Sequence, residues 1–175
     1  MIGPGNPSDP IEWIDVRDLA EWIVKCAENQ TMGAFIATGP KWPGTIGEVI
    51  DASIAAAKSE AVKPSDVSKP ATPPAAIDTI VTWIPASFLV AQGVSPGGDL
   101  PIWIPPEGEA TGFHRWNVSK AVAAGLTFRP LDDTLREIFH WYDALKPEQQ
   151  QRFRAGLTRE REAEVLKAWK DRKPA

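Results

Sequence analysis

At 175 residues, with 43% apolar and 24% charged side chains, the chain has the size and composition of one globular domain. Its 19 basic and 23 acidic residues leave a formal charge of −4, which excludes a basic field for nucleic acid or anionic lipid, and a lone cysteine excludes an internal disulfide or a thiolate metal cluster. No stretch approaches the ~20 apolar residues of a membrane span and the start has no signal-peptide pattern, so a cytoplasmic protein is expected.

Residues 1–12, rich in Gly, Pro, Asn and Asp, predict a loop that runs into a short strand at 12–14. Asp15 stands where an N-cap belongs, and Leu19, Trp22, Ile23, Cys26 and Ala27 recur at helical spacing, which predicts a helix over 16–28 with Cys26 in its core face. The apolar run 34–38, bounded by Gly33 and Gly39-Pro40, reads as a buried strand ended by a turn. Thr45 and Glu48 form a capping box that opens a helix to about residue 58. Residues 59–76 offer Lys, Ser, Pro, Ala and Asp with almost nothing to bury, the composition of a mobile surface insertion. Order returns with a strand over 77–84 and a short helix over 86–92; residues 100–105 are extended and held by prolines at a sheet edge or in a loop. Asn117 caps a brief helix over 118–124 that stops at a left-handed Gly125. Helices over 132–145, 147–155 with Pro147 first, and 158–170 finish the chain. The charge run 159–164 reads as a solvated helix face, and Trp13, Trp22, Trp141 and Trp169 as core. The order is that of an α/β fold with an incomplete parallel sheet. Its parts are a strand-helix-strand-helix segment at 1–58, the insertion, a remainder at 77–145 and a helical tail at 146–175.

Five stretches, in order, resemble the extended short-chain dehydrogenases of the NAD-dependent epimerase/dehydratase family. Trp13-Ile14-Asp15-Val16-Arg17-Asp18-Leu19-Ala20 resembles the strand entering a Val-x-Asp-Leu-Ala helix start. Residues 33–40 resemble the family's G-x-(Y/F)-N-x-(G/A)-T-G turn, and residues 45–57 the helix after it. Residues 112–130 resemble the region in which Asn117-Val118-Ser119-Lys120-Ala121 and Gly125-Leu126-Thr127-Phe128-Arg129-Pro130 stand for D-x-S-K-A and L-G-(W/F)-x-P, and residues 131–141 resemble the terminal helix ending in tryptophan. The resemblance implies the C-terminal, substrate-side lobe of such an enzyme.

Three departures narrow what the resemblance implies. The family's nucleotide-sugar members place pyrophosphate-binding arginines where this chain has Ile11 and Pro106, so a nucleotide sugar is a poor substrate and a less charged small molecule fits better. The G-x-x-G-x-x-G turn that holds NAD(P) in a complete member is missing, Gly3-Pro4-Gly5 reading as a loop, and no cofactor is expected on this chain alone. Tyr142 and Lys146 fit the Y-x-x-x-K spacing of the hydride chemistry, but at the end of the last family helix and without a cofactor fold they read as a chance pair. No catalytic residue and no metal site is therefore assigned; the two histidines have no ligand-spaced partners.

The candidate substrate-binding residues are Arg17, Trp83, His114, Arg115 and Trp116. His114 and Arg115 would hydrogen-bond an oxygenated ligand while Trp116 or Trp83 stacks on it. Against that stands a plainer reading, with Arg115 paired to a surface carboxylate, Trp116 in the core, Arg17 a solvated partner of Glu21, and Asp18 capping its helix or a nearby amide. Two functions follow: the substrate-binding part of an NAD(P)-dependent epimerase, dehydratase or reductase, incompetent alone and completed by a separate Rossmann-type chain, or a non-catalytic ligand-binding or interaction domain of that descent. An exposed sheet edge makes self-association or a partner chain an expectation for either.

Overall fold

The computed structural model describes residues 1–39, 44–61, 79–150, 152 and 155–173. The elements among them run β1 (Ile2–Pro4), β2 (Pro10–Ile11), α1 (Val16–Glu28), β3 (Gly44–Thr45), α2 (Ile46–Ala61), β4 (Thr82–Ile84), α3 (Ala86–Ala91), a 3-10 turn (Gly108–Ala110), α4 (Ser119–Ala123), α5 (Leu131–Asp143), α6 (Pro147–Gln150) and α7 (Arg159–Asp171). The mixture of helices and short strands is α/β. No helix among the described residues is long and apolar enough to cross a membrane.

The strands make two small sheets: β1 lies parallel to β4, with Gly3 opposite Trp83, and β2 lies antiparallel to β3. β1 corrects the expectation of a loop at the N-terminus, and β2 falls at Pro10–Ile11 rather than at 12–14. Glycine at position 3 has a packing reason. A Cβ there would come within 2.7 Å of the Trp83 ring and of Val81 Cγ1, so only glycine lets the indole lie against the strand.

The larger core gathers Ile2, Ile11, Ile46, Ile50, Ile84, Leu89, Val94, Trp103 and Val165. Trp103, fully buried, fills the centre of the proline-held segment 100–105, and its Nε1 donates to Asp9 Oδ2 at 3.0 Å. A smaller core joins Trp22, Ala121 and Leu126, with Ile14, Leu19, Cys26, Phe35 and Phe128 packed against it. Trp13 packs on the larger core and Ile14 on the smaller, so the stretch between β2 and α1 serves both.

α1 begins where its cap places it: Asp15 Oδ1 accepts the Arg17 amide at 2.8 Å. Its buried face is narrower than the spacing predicts; Trp22 is buried, but Ile23 and Val24 are exposed. The capping box of α2 is present, with the Thr45 amide donating to Glu48 Oε2 and the Glu48 amide to Thr45 Oγ1. Asn117 Oδ1 accepts the Ser119 amide at the start of α4, and Gly125 has φ 91° behind it. Of the helix predicted over 147–155, α6 covers Pro147–Gln150, and residues 151, 153 and 154 lie outside the described residues; α7 is capped by Thr158, whose side chain accepts the Arg161 amide.

The run 34–38 forms no strand, and Ala34 and Ile36 are exposed. Of the strand expected over 77–84, residues 82–84 form β4, 79–81 belong to no strand, and 77–78 lie outside the described residues. Of the expected insertion, residues 59–61 lie in the last turn of α2, and residues 62–76 lie outside the described residues. The charge run at the start of α7 is more than a solvated face: Glu162 Oε1 accepts the Ile2 amide at 2.8 Å, and Arg161 donates to the Gln92 carbonyl. Trp141, expected in the core, is half exposed.

Candidate functional site

Three of the stretches that carry the family resemblance meet in space. The Trp13 amide donates to the Gly39 carbonyl at 2.8 Å, which ties the entry to α1 to the end of the 33–39 run. Gly39 must be glycine, since a Cβ would lie 2.3 Å from Phe128 Cε1. From the other side Lys120 donates its Nζ to the Ala34 carbonyl at 2.8 Å and lies over the Phe35 ring, which meets Trp22 edge to face. A lattice of carboxylates closes the arrangement. Asp18, almost fully buried, accepts the Arg129 amide at 2.9 Å and its Nε at 2.6 Å, and Arg129 also reaches Glu21. Asp15 holds Arg17 through two side-chain bonds and accepts the Thr134 hydroxyl at 2.8 Å. The Arg17 hydrogen bond holds the Asp15 carboxyl far below the ordinary carboxylate range.

Between these stretches lies a cavity of about 390 Å³, lined by Glu12, Ile36, Ala37, Thr38, Phe113, His114 and Trp116. Its polar end is built from the backbone. The Glu12 amide donates to His114 Nδ1 at 3.2 Å, and the Trp116 amide donates to Glu12 Oε1 at 2.8 Å. Burial pushes the His114 imidazole below its ordinary value, and burial pushes the Glu12 carboxyl up against the opposing pull of the Trp116 amide. Both groups are thus biased toward their neutral forms. His114 is 7% exposed and its Nε2 has no partner among the described residues. Phe113 packs edge to face on the imidazole at 5.0 Å, and Trp116 is 56% exposed at the cavity wall.

The five residues expected to bind substrate do not form one site. His114 and Trp116 share this cavity, and Trp116 stands at its wall rather than in the core. Arg115, between them in sequence, is exposed and does not line it. Arg17 lines a second cavity of about 520 Å³ with Ile14, Val16, Thr134, Ile138 and Trp141; its carboxylate partners are Asp15 and Glu137, not Glu21. Trp83 packs in the larger core against Gly3 and lines neither cavity. Glu12, Phe113 and the 36–38 wall were not anticipated. For Glu12 the available signal was a charged side chain directly before an apolar Trp-Ile pair, which a strand end explains equally well.

Gly3 lies within β1 and Gly5 follows it, and the space a Cβ would take is filled by Trp83 at the first and by Asp9 and Trp103 at the second, so these two glycines leave no room for a pyrophosphate. Tyr142 ends α5 and Lys146 lies beyond that helix, before α6. No cluster of three metal-ligating side chains occurs among the described residues. Comparison of the chain with protein-family models, with curated proteins and with solved structures gives no match.

Proposed function

We propose that the chain is the substrate-binding part of an NAD(P)-dependent epimerase, dehydratase or reductase-like protein of the extended short-chain dehydrogenase kind. In this reading the cofactor fold and the catalytic tyrosine and lysine come from outside these residues. The observation that carries it is the cavity: Glu12 leads into the first family-like stretch, Ile36 to Thr38 belong to the second, and Phe113 to Trp116 open the region of the fourth. Segments far apart in the chain and picked out only by sequence order supply the walls of one concave, largely apolar site, the form that small-molecule sites take. The Asp18–Arg129 pair adds support by joining the Val-x-Asp-Leu-Ala stretch directly to Leu-Thr-Phe-Arg-Pro.

The substrate in this reading is not a nucleotide sugar. Ile11 is fully buried in the larger core and Pro106 is followed by Glu107, so neither position offers a cation to a pyrophosphate. The two-stranded β1–β4 sheet is small for a parallel arrangement, and Val16, Ile23, Val24 and Ile138 are exposed apolar side chains; both favour a partner chain or self-association. The coding sequence around this one tests the reading. A neighbouring or continuous frame encoding G-x-x-G-x-x-G and a Y-x-x-x-K helix is expected, and its product combined with this chain should oxidise NAD(P)H. Flanking sequence with neither motif would leave a non-catalytic ligand-binding domain and contradict the proposal.

A further inference from the structure

The Glu12–His114 pairing leaves one buried donor without an acceptor among the described residues, and we propose that this donor selects the ligand. The cavity takes an uncharged molecule with a flat apolar body and a carbonyl oxygen, bound by a hydrogen bond from His114 Nε2. The inference rests on reading this cavity as the ligand site.

Because Nδ1 accepts the Glu12 amide, a neutral imidazole carries its proton on Nε2. That N–H is nine-tenths buried with its ring and closed to water, a condition that folded proteins seldom leave unrelieved. What relieves it must be an acceptor. An ammonium group has none to offer. An anion has an acceptor, but among the described residues no cationic side chain lines the wall to balance its charge. Neutral acceptors remain, and among them a carbonyl oxygen accepts more strongly than an ether and, unlike a hydroxyl, brings no donor that would need its own partner; the Ile36, Ala37, Phe113 and Trp116 side chains suit a flat apolar body beside it. Phe113, half exposed and packed edge to face on the imidazole, is in this proposal the ring that would turn aside to admit the oxygen to Nε2.

Three probes of one shape separate the outcomes: 4-methylacetophenone, 4-ethyltoluene without the oxygen, and 4-methylbenzoate with a charge. Each is titrated into the full chain labelled with ¹⁵N, and the backbone signals of Thr38, the Trp116 indole and the His114 imidazole are followed. The ketone should shift all three and move the Nε2–H signal, while the hydrocarbon leaves that proton unmoved. In His114→Phe the ketone-to-hydrocarbon affinity ratio should fall roughly tenfold, and in His114→Gln, which keeps an N–H donor, it should fall less. If the variants fail to fold, the Nε2–H signal of the unaltered chain decides alone. Ketone binding that leaves Nε2–H unmoved, or tightest binding by the benzoate, overturns the inference and keeps the cavity as a ligand site. If no probe moves Thr38 or Trp116, the cavity reading fails with it.

Discussion

His114 shows how backbone contacts set the chemistry of a side chain. Its Nδ1 is committed to the Glu12 amide, and the buried ring favours the uncharged form. The unfolded imidazole takes a proton near pH 6.5, while the folded one holds out to lower pH. Between those two values the unfolded chain binds more protons, so stability drops as pH falls through this window and levels off below the folded midpoint. Glu12 has the opposite sign. Its unfolded carboxyl releases a proton near pH 4.5, the folded one later, so stability drops as pH rises from 4.5 to the folded midpoint. An NMR titration of His114 should give a midpoint below 6.5, and the Glu12 carboxyl a midpoint above 4.5; a histidine titrating at or above 6.5 would refute the burial-driven account. At this scale the adjacency of His114 and Trp116 in the sequence carries over to the structure, where both line one cavity. Arg17 and Trp83 lie apart from it for reasons the sequence does not reveal: a neighbouring carboxylate pairs with the first, and Gly3 makes room for the second in the larger core.

The helices were the legible elements, and their caps explain why. Asp15, the Thr45–Glu48 box, Asn117 and Thr158 each satisfy amides that the helix leaves free, and this local chemistry is written in adjacent residues. Strands depend on partners elsewhere, and there the sequence misled. Ile2–Pro4 looked like a loop because Gly3 and Pro4 signal turns, yet glycine there permits the approach of Trp83 and proline stands at the strand's end. Residues 34–38 looked like a strand but pair with no other strand among the described residues; Lys120 and Trp22 hold the run itself, and the Trp13 amide holds Gly39 just after it. The caps differ in reach, and so should their removal. Thr45→Ala should cost about 1 kcal/mol in urea unfolding. Asp15→Ala should cost about 3 kcal/mol, because it also strands the buried Thr134 hydroxyl and releases Arg17. Equal losses for the two would show that the Asp15 bonds to Thr134 and Arg17 contribute nothing.

Across the whole molecule, the two ends of the chain are interdependent. β1 is held by β4 on one side and by Glu162 of α7 on the other, while Val165, fully buried, completes the larger core and Trp169 packs edge to face on Phe88. Val165→Ala should therefore destabilise the chain by about 2 kcal/mol and increase hydrogen exchange at the Ile2 amide as well as in α7. Exchange that rises in α7 alone would mean that the tail docks without supporting β1. The cavity of Glu12, His114 and Trp116 lies beside the smaller core, and the stretch from Glu12 to Ile14 links it to the larger one.

The central claim is that this chain supplies the substrate side of a redox site without its cofactor side. Calorimetric titration of the chain with NADH, NADPH and 4-methylacetophenone tests it most directly. The account predicts saturable heat with the ketone, weakened roughly tenfold in His114→Phe, and none with either nicotinamide cofactor; micromolar NADH or NADPH binding would contradict it.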